Sequence, residues 1–265
     1  MKKNPRILIS NDDGIDAPGL MHLRDIASHL SDDVWVVAPV DNQSGVGHCL
    51  TLGSELEYTK KSEKVFALNG TPADCVIIAC TDLLKDQRPD IVLAGVNHGQ
   101  NLGDIINCSG TLAAAREGAL QGALGIALSQ GINYEKGTDV FWHTTNGYAV
   151  EVLQKLIEQT VISEGRNPDI YYNVNFPVCP RNEVSGIEVV PHQRFYRSAF
   201  QHYPSRNDGK FFVAIPKTPS PMHKGYDFHS LHLENAITIT PLSLCQSDLV
   251  EVERLNRKIS LTKPE

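Results

Sequence analysis

Four short segments of the chain gather oxygen-bearing side chains at spacings that could hold a cation and a phosphate. The first is Asn11-Asp12-Asp13-Gly14. Two adjacent carboxylates repel one another and are most comfortable with a divalent cation beside them. Gly14 permits a tight turn directly after the pair. The second segment, Asp41-Asn42-Gln43-Ser44-Gly45-Val46-Gly47-His48, offers the Ser44 hydroxyl, two glycines and the His48 imidazole. A hydroxyl can complete the shell of a hard cation. The third, Gly95-Val96-Asn97-His98-Gly99-Gln100-Asn101-Leu102-Gly103, contributes asparagine carbonyls, which are also hard ligands. The fourth is Cys108-Ser109-Gly110-Thr111 leading into Leu112-Ala113-Ala114-Ala115. Hydroxyls and a glycine at a helix start make an anion cradle, because free N–H groups and the helix dipole favour phosphate. No lysine follows that glycine, so it is not a P-loop. Each segment alone also reads as something ordinary: an acidic turn, a solvated loop, a turn-rich connector, a helix cap. Together they supply two carboxylates, a hydroxyl and an amide oxygen beside a phosphate cradle. That combination points to phosphoryl chemistry, most simply hydrolysis.

Elements that could position these loops are legible around them. Arg6–Ser10 is an apolar run that stops at the first loop, and Val34–Ala38 is a second, stopped by Pro39. Val65–Leu68 and Asp90–Val96 are further buried strands, the latter ending at the third loop. Asp16 and Pro18 mark a helix start, with Leu20, Leu23, Ile26, Ala27 and Leu30 at helical spacing. Thr71-Pro72-Ala73-Asp74 places a cap, an N1 proline and an acid at N3. An alanine-rich helix begins near Thr111, Gly125–Ser129 is a strand, Asp139–Gln159 a long helix and Asp169–Asn175 the next strand. Continuous apolar strands alternating with helices predict a Rossmann-like α/β fold, a mostly parallel sheet with helices on both faces. Such sheets bind ligands beyond the carboxyl ends of their strands, where these loops lie. After about Pro177 the rhythm stops. Gln193–Lys224 reads as an irregular β segment or hairpin, Ala236–Pro241 as a strand and Leu249–Ile259 as a terminal helix. The expected organisation is a catalytic domain over 1–180 and a smaller β-rich extension with a terminal helix over 181–265.

Composition limits the partners. The 265 residues carry 24 Lys and Arg against 31 Asp and Glu, a net charge of −7, so bulk charge does not attract long nucleic acid. Hydrophobic residues make up 41%, enough for a core rather than a disordered chain. No apolar stretch is long enough to span a membrane, and Ile7-Leu8-Ile9 is too short for a signal-peptide core. The six cysteines form no C-x-x-C pair and several sit in apolar company, which predicts reduced thiols in a cytoplasmic protein.

The loops resemble those of the SurE (survival protein E) family of metal-dependent nucleotidases. The resemblance runs through Ile9-Ser10-Asn11-Asp12-Asp13-Gly14-Ile15, Ala17-Pro18-Gly19, Val37-Ala38-Pro39, Ser44-Gly45, His48 and Leu50-Thr51-Leu52. It continues through Asn69-Gly70-Thr71-Pro72-Ala73-Asp74-Cys75, the whole third loop and Ser109-Gly110-Thr111. It is dense over the first 130 residues and thinner at Asn173-Val174-Asn175-Phe176-Pro177, Tyr226-Asp227-Phe228 and Thr238-Ile239-Thr240-Pro241-Leu242. The segment Gln193–Lys224 diverges from the family, and His98 stands where the family often has arginine.

The resemblance implies a phosphomonoesterase that hydrolyses nucleoside 5′-monophosphates, with activity on 3′-nucleotides and short polyphosphate. It implies one divalent ion per subunit, Mg²⁺ or Mn²⁺, held by Asp12, Asp13, Ser44 and Asn97, with Asn101, Ser109, Gly110 and Thr111 on the phosphate. Asp12 is the candidate to position or deprotonate the attacking water, and His48 or His98 to protonate the leaving ribose oxygen. A homodimer or homotetramer built through the C-terminal extension is expected. A phosphatase with an aspartyl nucleophile is disfavoured, because D-x-D-x-[TV] is replaced by Asp12-Asp13-Gly14-Ile15-Asp16. The alternative is a non-catalytic nucleotide-binding module of a stress response.

Overall fold

The computed structural model describes residues 4–132, 142–162, 167–195, 200–214, 221–256 and 258. The strands are β1 (Ile7–Ser10), β2 (Val34–Pro39), β3 (Tyr58–Ser62), β4 (Val65–Leu68), β5 (Ile91–His98), β6 (Leu124–Gln130), β7 (Ile170–Phe176), β8 (Gly186–Val189), β9 (Gln201–Pro204), β10 (Phe211–Ala214) and β11 (Ala236–Ser243). The helices are α1 (Pro18–Ser28), α2 (Pro72–Ile78), α3 (Gly110–Leu120), α4 (His143–Ile157), α5 (Asp227–His232) and α6 (Leu249–Asn256).

Nine strands form one sheet in the order β3-β4-β2-β1-β5-β6-β7-β11-β8. The run from β4 to β7 is parallel throughout. Its order is that of a doubly wound dinucleotide-binding sheet, which reverses direction between β1 and β5. Side-chain alternation explains the two layers. On β1, Ile7 and Ile9 face a core shared with Leu20 and Leu23 of α1 and Val152 and Leu153 of α4. Leu8 faces the opposite core, with Cys75 and Val76 of α2 and Leu112 and Ala115 of α3. A strand buried on both faces has no polar side to show, so these strands read as unbroken apolar runs. The α/β prediction is met.

Particular elements differ from expectation. Helix α1 starts at Pro18, but its cap is Ala17, and no side chain, Asp16 included, caps it. Proline at N1 supplies the start by its fixed φ and its missing N–H. The start of the long helix expected at Asp139 lies outside the described residues; α4 is described from His143. Likewise the expected end of the terminal helix at Ile259 lies outside them, with α6 described to Asn256. Within Gln193–Lys224, β9 and β10 pair antiparallel as a hairpin, while 196–199 and 215–220 lie outside the described residues. Strands β11 and β8 extend the sheet: β11 pairs antiparallel with β7 and parallel with β8. No helix among the described residues is long and apolar enough to cross a membrane.

Candidate metal and phosphate site

The carboxyl ends of β1, β2 and β5 carry the first three loops, and the start of α3 carries the fourth. Backbone hydrogen bonds join them. Gln43 N–H donates to the Asp12 carbonyl at 2.6 Å, Ile15 N–H to Pro39 at 2.8 Å and Gly47 N–H to Cys108 at 3.0 Å. Strand β5 shifts register between Ala94 and Asn97 against β6. Such an irregularity re-aims the side chains that follow it. Gly95 makes it feasible: its φ is +126°, and a Cβ there would lie 2.2 Å from the Leu128 carbonyl oxygen.

Asp12 is 4% exposed. Its Oδ1 accepts the Thr111 hydroxyl at 2.6 Å. Gly110 presses on its other side, where a Cβ would fall 2.7 Å from the Asp12 Cβ and 2.9 Å from Oδ2. Burial pushes the Asp12 carboxyl up to about 6, opposed by the Thr111 hydrogen bond and reinforced by the neighbouring Asp13 charge. Asp13, half-buried, is also raised, chiefly by burial, against the His98 backbone N–H and imidazole. His98 N–H donates to Asp13 Oδ2 at 3.2 Å and Asn42 Nδ2 to Oδ1 at 3.5 Å. Asn42 in turn accepts from Ser44 N–H at 2.8 Å, which draws the exposed Ser44 toward this edge. Asn97 Nδ2 donates to the Gly99 carbonyl at 2.7 Å, leaving its amide oxygen as the ligand-type atom.

The structure therefore links Asp12 directly to Gly110 and Thr111, and Asp13 to the strand end holding Asn97 and to the loop holding Ser44. Ser109 caps α3, its hydroxyl accepting from Leu112 N–H at 3.1 Å. Asn101 is held differently. Its Nδ2 donates to Ser129 Oγ at 2.9 Å and its N–H to Asn175 Oδ1 at 2.8 Å, while its carbonyl accepts from Asn173 at 2.8 Å and Asn175 at 3.1 Å. Of the two imidazoles, His48 Nε2 lies 2.9 Å from the buried Glu117 carboxylate, and His98 sits exposed at the rim.

The donor chemistry fits a hard divalent cation. The charges acting on the carboxylate pair are Asp13 on Asp12 and His98 on Asp13. A cation beside two such desolvated acids would hold them ionised. Asn11 Oδ1, one residue earlier, is buried without a partner among the described residues. No group of three or more His, Cys, Asp or Glu side chains gathers among the described residues.

A family model described as Survival protein SurE matches residues 7–198. The chain belongs to the SurE family. It is 43% identical over 253 residues to 5′-nucleotidase SurE of Methylorubrum populi, covering 94% of this chain and 97% of the relative. It is 41% identical over 267 residues to 5′-nucleotidase SurE of Beijerinckia indica, covering 98% of each. A crystal structure of a SurE protein from Aquifex aeolicus superposes with a TM-score of 0.81 at 31% identity, over 96% of this chain and 99% of that one.

Within this SurE chain, several supporting residues have roles that the sequence alone did not assign. Asn173 and Asn175 alternate on one side of an apolar strand, a pattern that signals a polar task. Asp227, fully buried, accepts from Gly103 N–H at 2.7 Å, Gln193 N–H at 2.8 Å and Phe228 N–H at 2.9 Å. Its carboxyl is raised by burial against those three N–H groups. It ties the loop carrying Asn101 to the C-terminal region. Glu117 gave no sign of its contact with His48, 69 residues earlier.

Proposed function

We propose that this SurE chain is a divalent-cation-dependent 5′-nucleotidase, hydrolysing nucleoside 5′-monophosphates to nucleoside and inorganic phosphate. The observation that carries the reading is the buried Asp12 carboxylate, set between Asp13 and the N-terminus of α3. The full-length kinship with relatives named as 5′-nucleotidases supports it.

Asp12, Asp13, Ser44 and Asn97 are the proposed ligands of one Mg²⁺ or Mn²⁺. When bound, that ion supplies a Lewis acid for a phosphoryl oxygen and an orienting centre for water. The chain's own residues do the rest. Thr111 fixes the Asp12 carboxylate by its 2.6 Å hydrogen bond, so that Asp12 can orient the attacking water and accept its proton. The N–H groups at Ser109 and Gly110 face the negative charge that grows on the phosphoryl oxygens, while the Thr111 N–H helps to hold the Asp12 carboxylate. Asn101, held in place by Asn173, Asn175 and Ser129, is the remaining proposed phosphate-binding residue. His48 or His98 protonates the leaving oxygen. His48 has the orienting carboxylate, and the imidazole whose replacement by alanine removes the high-pH limb of the rate profile is the acid. The exposed Phe211, Phe212 and Val213 of β10 support assembly of two or four copies through the C-terminal extension. Six free cysteines support a reducing, cytoplasmic setting.

The test is to strip the protein with a chelator, restore Mg²⁺, Mn²⁺, Ca²⁺ or Zn²⁺ singly, and measure phosphate release from 5′- and 3′-nucleotides and short polyphosphate. Restoration by Mg²⁺ or Mn²⁺ with 5′-monophosphates is expected. Wild-type rates in both Asp12→Asn and Asp13→Asn at saturating metal contradict the assignment. Tight nucleotide binding without phosphate release in any metal makes the chain a non-catalytic module instead.

A further inference from the structure

A cavity of about 120 Å³ opens beside the start of α3, on a helix face next to the one that meets Asp12. Ser109, Leu112, Ala113 and Arg116 line it at helical spacing, and His48, Asn107, Tyr171 and Gln246 close it. Arg116 is its cation. Arg116 Nε is buried without a hydrogen-bond partner among the described residues. The adjacent carboxylate is already occupied: Glu117 accepts from Gln121 at 2.8 Å and meets His48 at 2.9 Å. Burial works to raise the Glu117 carboxyl, and those two contacts, with the nearby charges of His48 and Arg116, hold it low. A buried guanidinium nitrogen without an acceptor is costly and calls for an explanation. Arginine is also the side chain whose fork matches a tetrahedral oxyanion.

The geometry supports the same reading. Arg116 follows Ser109 by seven residues, about 10 Å along the helix axis at 1.5 Å per residue. Helical side chains lean toward the N-terminus, so a long arginine reaches back toward the phosphate cradle. Volume fits as well, since a cavity of about 120 Å³ has room for a small oxyanion.

We infer that this cavity is a second oxyanion site, in which Arg116 binds a phosphate group beside the cradle at Ser109–Thr111. The group is either free inorganic phosphate or a second phosphoryl group on the substrate. The inference rests on the proposed function only in taking the Ser109–Thr111 cradle as the neighbouring phosphate position.

The experiment uses the Mn²⁺-loaded protein with Arg116→Met, which keeps an apolar stem, and Arg116→Lys, which keeps the charge. Calorimetric titration with inorganic phosphate is expected to find two equivalents per chain in the wild type and in Arg116→Lys, the latter weakened up to about tenfold, and one in Arg116→Met. In a second arm, the kcat/KM ratio of tripolyphosphate to nucleoside 5′-monophosphate is measured. A fall of about tenfold or more in Arg116→Met, with the monophosphate rate within about twofold, identifies the substrate's own second phosphoryl group as the occupant. An unchanged ratio with a lost equivalent identifies free phosphate. If Arg116→Met keeps the second equivalent and the ratio, or Arg116→Lys loses the equivalent as fully as Arg116→Met, the site does not exist. A wild-type protein that releases no phosphate from any ester, yet shows the charge-dependent second equivalent, sinks the nucleotidase reading and leaves this site standing.

Discussion

Replacing Gly110 by alanine separates catalysis from stability more sharply than removing a ligand does. The added Cβ would sit 2.7 Å from the Asp12 Cβ, about 0.7 Å short of the 3.4 Å at which ordinary van der Waals contact begins. Asp12 has little room to retreat, since it is 4% exposed and its Oδ1 is tied to Thr111 at 2.6 Å. Two effects on stability oppose each other. Alanine in place of glycine at a compatible position gains about 0.4 to 1 kcal/mol, and overpacking costs about 1 to 3 kcal/mol. The net cost is therefore about 0 to 2.6 kcal/mol, which leaves a folded protein. The carboxylate, however, moves by most of an ångström. Misplacing a reacting group by about 1 Å costs on the order of 100-fold. A kcat for 5′-monophosphate hydrolysis lowered about 10- to 100-fold is expected, or about 1.4 to 2.7 kcal/mol of barrier. The metal concentration at half-activation should rise with it. The assay is steady-state phosphate release across a Mn²⁺ series, with thermal unfolding measured in parallel. A variant within about twofold of wild type in kcat, with the same half-activation, refutes the claim that Gly110 exists to admit Asp12.

The remaining predictions concern charge, capping and loop anchoring. Burial raises Asp12 from 3.8 to about 6, so the folded metal-free protein holds a proton that the unfolded chain releases between those values. Its contribution to stability is thus present below about pH 4 and lost as pH rises to about 6, by about 3 kcal/mol at 1.36 kcal/mol per pH unit. Urea unfolding of chelated wild type and Asp12→Asn at pH 5 and 7 should show the steeper loss in the wild type, since Asp13 and Asp227 remain raised in both, and equal slopes contradict it. Thr71→Ala removes the α2 cap on Asp74 N–H and the 2.7 Å bond to the Cys49 carbonyl. A loss of about 1 to 2 kcal/mol is expected, read as a lower melting temperature with unchanged kcat. Asp227→Ala leaves the Gly103, Gln193 and Phe228 N–H groups unpaired, costing about 3 to 5 kcal/mol. Hydrogen exchange should speed at Gly103 and Gln193 well before global unfolding, and protection equal to wild type argues against the anchor.

The sheet was legible wherever burial on both faces removed any polar alternation, as in Ile7–Ser10 and Ile91–His98. It was not legible in β3, whose five residues are all exposed, nor in the mostly exposed four-residue β8, where pairing to a neighbour supplies the order. The capping box at Thr71 and Asp74 was readable because it is local. Ala17 was not, since Pro18 supplies what a capping side chain otherwise does. The loops that carry ligand-type oxygens could be picked out by composition at strand ends. Their mutual contacts could not. Thr111 reaches Asp12, Glu117 meets His48 and Asp227 holds Gly103 through a tertiary arrangement that no spacing encodes.

The bond between Asp12 and Thr111 joins residues 99 positions apart. On a ribosome, Asp12 leaves first and waits about 5 to 20 s of synthesis for its partner. For most of that time β1 also lacks β5, its neighbour on the side of the switch point. The emerging Asp12-Asp13 pair is then a flexible, hydrated acid pair with weak hold on any ion. High-affinity metal uptake should begin only when nascent chains extend past α3, so loading occurs as the domain closes rather than as its first residues appear. Ribosome-bound chains halted before Ser109 should fail to retain Mn²⁺ that longer ones keep.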